Sequence, residues 1–273
     1  MPAATMFTYP WASSEWSDEP PTASPDGRTM LFQRSEAHIA KIFESRLIDA
    51  RWSTPVPTSF SRSWSDQFPA LSPDGSYLIF ESNRPLAAGD NEQVANLWRT
   101  DRTPSGWSAP MHLPDTVNIS KRIYAHSVAA NGDIYFMSST EPRGKDPRWR
   151  LFRAAHTASG YAQAEALPFS DGSFSDVDPY IAPDQSYLIF ASANRREPTC
   201  HKHLFIVFHR GANWGPVIPI RYQGDEQAED DSSLNVSADG TTLYFGSTRG
   251  GTSKIWTLPL APYIAAAARS ALQ

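Results

Sequence analysis

The chain has 273 residues, with 24 Lys and Arg against 29 Asp and Glu. The resulting net charge of −5 is too mild, and of the wrong sign, to recruit nucleic acid or an anionic membrane. A single cysteine, Cys200, excludes an internal disulfide framework, and no run of about 18 apolar residues is present to span a bilayer.

The N-terminus, "MPAATMFTYPW", has no basic end followed by an apolar stretch, so no signal peptide is read there. A leader removed beforehand would make the chain periplasmic; otherwise it is expected in the cytoplasm. The first regular element is a hairpin, "SDEPPTASPDGRTMLF" at 17–32. A short apolar stretch runs into Pro-Asp-Gly, which reverses the chain, and a second apolar stretch ending in Phe returns. A third strand, "AKIFESRL", and a fourth, "RWSTPV", follow. The phrase then recurs as "SDQFPALSPDGSYLIF" (65–80), "RIYAHSVAANGDIYF" (122–136), "SDVDPYIAPDQSYLIF" (175–190) and "DDSSLNVSADGTTLYF" (230–245). Anchored on Ser24, Ser72, Ala129, Ala182 and Ser237, the copies lie 48, 57, 53 and 55 residues apart. That period is one four-stranded propeller blade with its loops.

Third strands recur as "ANLWRTDR", "WRLFRAAH", "HLFIVFHR" and "SKIWTLPL", and fourth strands as "GWSAPM", "GYAQAE" and "NWGPVI". The fifth copy lacks a fourth strand. Residues about 4 to 10 precede the first hairpin where such a strand belongs, so the N-terminal strand is expected to complete the last blade and close the ring. Closure removes the exposed sheet edges of an open array. The Ala-rich tail, "APYIAAAARSALQ", reads as a short C-terminal helix. The expected fold is therefore all-β: a single five-bladed β-propeller domain over 1–273, with blade units 17–64, 65–121, 122–174, 175–229, and 230–260 plus 1–16.

The Asp-x-x-Pro-x-x-Ser-Pro-Asp-Gly run followed by an apolar strand, with Gly-Trp-x-x-Pro fourth strands, resembles the WD-like repeats of TolB-type propellers. The resemblance covers nearly the whole chain and implies the fold. Function it leaves open, because such repeats occur in export-associated and peptidase-associated proteins alike. The third copy departs from the pattern, lacking both Ser-Asp and Pro-Asp.

The turn aspartates Asp26, Asp74, Asp184 and Asp239 read as backbone-bonding residues. The Ser-Asp aspartates Asp18, Asp66, Asp176 and Asp231 stand six positions before each anchor, and Arg84, Arg249 and Arg195 stand twelve or thirteen after. A hairpin brings such positions together, so a repeated Asp–Arg pair is expected. Chemistry is sought where the repeat is broken. Arg122, Tyr124 and His126 replace the usual residues of the third copy and could grip a ligand or exchange protons at the channel mouth. Asp178 joins Asp176, and Asp230 joins Asp231. With Asp18, Glu19 and Asp66 they form an acidic ring that could hold Ca²⁺, although no cofactor is required by any motif. "CHKH" at 200–203 places His201 and His203 on one strand face, but spacing fixes no third ligand and no metal centre is assigned. No phosphate loop, dinucleotide fingerprint, zinc-protease motif or nucleophile elbow is present.

Two functions emerge as expectations. The first is a monomeric binding propeller whose channel-mouth face takes a protein, peptide or carbohydrate, using Asp66, Arg122, Tyr124, His126, Asp176, Asp178, Asp230 and Asp231. The alternative is a hydrolase or lyase for a small or saccharide substrate. There Asp66, Asp176, Asp178 and Asp231 are the carboxylate candidates, His126 or Tyr124 carries a proton, and Arg122 clamps an anion.

Overall fold

The computed structural model describes residues 1–9, 17–36, 39–87, 94–139, 141, 148–195, 201–211, 213–227, 230–249 and 251–270. Five antiparallel sheets form the blades. The inner strands are Ser17–Asp18 with Thr22–Ala23, then Asp66–Leu71, Ile123–Val128, Ser175–Ile181 and Asp231–Val236. Each pairs with a second strand: Thr29–Glu36, Tyr77–Ser82, Ile134–Ser138, Tyr187–Ala193 and Thr242–Ser247. The third strands are Ile39–Ile48, Asn96–Thr103, Arg150–Ala154, Lys202–Arg210 and Lys254–Pro259. Neighbouring inner strands pack on one another from blade to blade, which sets the sheets radially about an axis.

The ring closes as expected. Thr5–Met6 pairs antiparallel with Lys254–Pro259, Thr5 opposite Thr257 and Met6 opposite Trp256, and the Phe7 amide donates to the Ile255 carbonyl at 2.9 Å. A chain-terminal strand thus becomes the outer strand of the last blade. The helix Ala261–Ser270 comes next, its Tyr263 hydroxyl donating to the Arg221 carbonyl at 2.6 Å.

The fourth strands differ from expectation in being split. In the first blade Arg51–Trp52 continues a hairpin with the third strand, and Val56–Pro57 pairs further along it. Pro55 stands between them, and an edge strand tolerates such a break because its outward N–H positions are not needed in the ladder.

Each blade has one aromatic seam. The Phe that ends the repeated phrase faces an aromatic of the third strand: Phe32 opposite Phe43, Phe80 opposite Trp98, Phe136 opposite Phe152, Phe190 opposite Phe205 and Phe245 opposite Trp256. The five phenylalanines of the phrase are buried, and cross-strand aromatic pairs stabilise sheets beyond their area. The repeated turns are held as their composition implies. Ser24, Ser72 and Ser237 donate to Asp26, Asp74 and Asp239, whose carboxyls these bonds hold below their ordinary range.

Candidate functional site in the axial channel

The Ser-Asp aspartates do not face the axis. Each is buried at the top of its blade and bonded to an arginine: Asp18 to Arg34 at 2.7 Å, Asp66 to Arg84 at 2.7 Å, Asp176 to Arg195 at 2.7 Å and Asp231 to Arg249 at 3.3 Å. Arg34, Arg84, Arg195 and Arg249 lie over the rings of the aromatic seam, where the π-face adds to the ion pair. Ser170 and Ser192 hydroxyls complete the shell of Asp176 at 2.7 and 2.6 Å, and the Tyr222 hydroxyl donates to Asp231. In the third blade Ile123 occupies the aspartate's position and is fully buried, so no charge pair is required there. Arg34 was not legible as a partner, because it lies on the second strand itself, two positions nearer the anchor than Arg84 or Arg249.

The axis is lined from the second residue after each aspartate onward, with Glu19 joining from the first. Four inner strands carry a bulge at the same place, with register shifts at 67/70, 124/126, 177/180 and 232/235. Phe68, Ala125, Asp178 and Ser233 sit there with φ of 48°, 23°, 53° and 53°. That region is unfavourable for non-glycine residues and recurs where a strand must re-aim its side chains. Neighbouring blades cap the freed amides. The Phe68 N–H donates to Gln33 Oε1 at 3.1 Å, the Asp178 N–H to Met137 Sδ at 3.5 Å, and the Ser233 N–H to Asp178 Oδ2 at 2.9 Å. In the first blade the position is Pro20, which has no N–H to satisfy.

Two cavities lie end to end along the axis, lined by residues of all five blades. The upper, of about 30 Å³, is bounded by Glu19, Phe68, His126, Asp178, Ser233 and Asn235, among others. The lower, of about 150 Å³, is bounded by Thr22, Ala70, Ser127, Tyr180, Ile181 and Val236, among others. His126, Leu234 and Asn235 border both.

Of the residues singled out in the sequence, the structure brings Glu19, His126 and Asp178 to this channel. Asp66, Asp176 and Asp231 stay in the blade walls with their arginines. Asp230 pairs with Lys202 at 2.9 Å. Tyr124 packs edge-on against Trp149 with centroids 5.4 Å apart, and Arg122 is half-buried on the same blade, with its backbone N–H bonded to Ser120. Cys200 lies outside the described residues. Among the described residues no group of three or more His, Cys, Asp or Glu is arranged to hold a metal ion.

The channel groups are electrostatically unusual. His126 is 8 % exposed and neither ring nitrogen has a hydrogen-bond partner. Burial pushes its pKa down to about 4, against the opposing pull of the Ile79 backbone. Glu19 is pushed up to about 7, chiefly by burial, with the charges of Asp178 and Asp18 adding and the Ser233 hydroxyl opposing. Burial likewise raises Asp178, against the Ser233 amide and Lys202. Both carboxyls are surrounded by protein yet half-buried rather than sealed, because they border the lumen. The site is thus two carboxyls whose hold on the proton burial strengthens, beside a buried imidazole that burial keeps neutral.

Among solved structures, TolB from Acinetobacter baumannii superposes with a TM-score of 0.58 at 14% identity, covering 91% of this chain and 55% of that one. The fold is a TolB-like propeller. BT0996, solved as an RGII complex, gives a TM-score of 0.57 at 13% identity, over 89% of this chain and 86% of that one. The chain spans about half the length of that TolB. No protein-family model matches it, and no curated protein matches it in sequence. At such identities the likeness shows the fold alone. No helix among the described residues is long and apolar enough to cross a membrane.

Proposed function

We propose that this propeller is a binding protein that takes a small polar ligand into its axial channel, at the stretch bordered by Glu19, His126 and Asp178. The observation that carries this reading is the carboxyl pair Glu19 and Asp178, which border the upper cavity and which burial holds above their ordinary range. A ligand that hydrogen-bonds to them would offset part of their desolvation. The bulges support the same reading: four strained positions in register on one axis are the kind of local strain that clusters at functional sites. Titration calorimetry with small sugars, polyols, amines and carboxylates tests it. A ligand should be found whose affinity falls about tenfold or more in Glu19→Gln, the loss of a hydrogen bond to a charged group, while the unfolding temperature holds or rises. An unchanged affinity in that variant would reject the site.

One observation favours a second reading, hydrolysis at the same place. Glu19, held near neutrality beside Asp178, has the poise of a general acid with a neighbouring carboxylate. Turnover of chromogenic glycosides or esters that disappears in Glu19→Gln would favour catalysis over binding.

A further inference from the structure

We propose that His112 is an acid-sensitive latch on the second blade: as a neutral ring it fastens the outer strand Met111–His112 and the connection that follows, and on taking up a proton it lets them go. The latch is a local variant of a repeated arrangement. In the first three blades a side chain of the connection leaving the blade accepts from a third-strand amide: Ser61 from Ile42 at 3.0 Å, Asn118 from Leu97 at 2.8 Å and Ser170 from Leu151 at 2.9 Å. On the outer strand, the residue opposite the third-strand aromatic is Pro57 in the first blade, Ala166 in the third and Pro219 in the fourth. In the second blade it is His112, opposite Trp98. Of these four blades, the second alone sets a titratable ring beside its cap.

The orientation of the Asn118 amide decides the chemistry. Its Oδ1 accepts from the Leu97 N–H, and its Nδ2 donates to the Leu113 carbonyl at 2.7 Å, so the amide cannot be turned over. The same Nδ2 lies 3.1 Å from His112 Nε2. A group that only donates needs an acceptor opposite it, so Nε2 carries the lone pair and the ring proton sits on Nδ1. Protonation makes Nε2 a second donor and sets two N–H groups against each other. Asn118 is held on its other sides, by the Leu97 amide and the Leu113 carbonyl. His112 is half-buried on a two-residue edge strand whose other member, Met111, is 50% exposed, so the ring is the part that moves. Leu113 follows it directly and donates to the Leu97 carbonyl at 3.1 Å, so the connection loosens with it. Asn118, Ile119, Ser120 and Lys121 of that connection border a cavity of about 250 Å³, whose shape therefore depends on the latch.

Burial lowers the His112 pKa below its ordinary 6.5, and Asp115 opposes the shift. The latched chain thus resists a proton that the released ring accepts. The latch is at full strength above 6.5 and weakens as pH falls below that value. The charged groups on the elements packed against the ring are Asp115 and Lys121 in the connection and Arg99, Asp101 and Arg102 on the third strand. Arg99 is paired with Asp101 at 2.7 Å and Arg102 with Glu44 at 3.3 Å, and Asp115 is the group that acts on the ring. Arg84, which lies over the Trp98 ring, is paired with Asp66.

The test is amide hydrogen exchange of the intact chain at about pH 7.5 and about pH 5, with rates corrected for the intrinsic effect of pH. The reference amides are Leu151 and Leu167, which make the matching bonds in the third blade. Relative to them, we expect protection of Leu97 and Leu113 to fall about fivefold at the lower pH, the worth of one net hydrogen bond. His112→Gln supplies an acceptor that does not titrate and should keep that protection at both pH values. An equal relative fall in His112→Gln, or no relative fall in the parent, overturns the latch. The ring-nitrogen chemical shifts of His112 at the higher pH give a second reading that needs no variant. The tautomer protonated on Nδ1 is expected, and the one protonated on Nε2 overturns the geometry on which release depends.

Discussion

Glu19 and His126 perturb the pH dependence of the fold in opposite senses, although burial is the chief cause of both shifts. Glu19 keeps its proton up to about 7 in the folded chain against 4.5 as an ordinary carboxyl. Between those values the unfolded chain has released a proton that the folded chain retains, so stability is fully present below the lower value and falls as pH rises through the interval. Glu19→Gln removes that titration. Denaturant unfolding at several pH values should show a shallower decline than in the parent, and an identical decline would mean that Glu19 is solvated like a surface carboxyl. For His126, held at about 4 against 6.5, the unfolded chain binds the extra proton, and stability instead falls as pH drops from 6.5 towards 4. A carboxyl that retains its proton and an imidazole that refuses one are products of the same enclosure. The sequence marked His126, because the third copy breaks the pattern there, and named Glu19 only as one carboxylate of an acidic ring. Glu19 occupies a position that holds Gln67, Tyr124, Val177 and Ser232 in the other copies, so nothing in the repeat marks it as chemically special.

Among the elements, the repeated hairpin shows why the phrase is spelled so consistently. The aspartate before each inner strand, the arginine after the second strand and the phenylalanine ending it form one unit: an ion pair laid over an aromatic seam. In the fourth blade the unit also ties down the approaching loop, since Arg195 Nη2 donates to the Phe169 carbonyl at 2.6 Å and Ser170 donates to Asp176. Asp176→Asn leaves Arg195 buried without the charge that balances it. Removal of one member of a buried pair destabilises by about 3–5 kcal/mol, and we expect a loss of that order in urea unfolding; a loss below about 1 kcal/mol would equate the pair with a surface salt bridge. The hairpin period, the turn chemistry and most of these pairs could be read from residue spacing, because each is local or separated by one short turn. The side of the strand on which the aspartates lie could not. It depends on the bulges, and bulges at Phe68, Ala125, Asp178 and Ser233 carry no glycine or other backbone signal. Sequence reasoning therefore expected an acidic ring at the opening, whereas the structure turns Asp18, Asp66, Asp176 and Asp231 into the walls and leaves only Glu19 and Asp178 of that ring at the lumen.

At the scale of the whole molecule, two residues of the N-terminal strand hold the ring shut. Thr5 and Met6 pair with the last third strand, and the Thr5 and Thr257 hydroxyls share a 2.8 Å hydrogen bond across that seam. Removing residues 1–9 should expose the edge of Lys254–Pro259, and an unpaired edge recruits another chain. Sedimentation velocity is expected to show association in the truncated protein where the parent does not, with faster amide exchange concentrated in Thr242–Ser247 and Lys254–Pro259. Unchanged sedimentation and exchange would show that the closure contributes nothing. This part of the fold was legible from a single asymmetry, the absent fourth strand of the last copy.

The five inner strands also depart from one another along the axis, and this bears on how a guest would lie there. Were the walls alike, a molecule on the axis could turn through five equal seats, none preferred. Glu19, Phe68, His126, Asp178 and Asn235 come from successive blades and no two are the same. The channel therefore has one azimuth, and a guest that found it would be oriented as well as held.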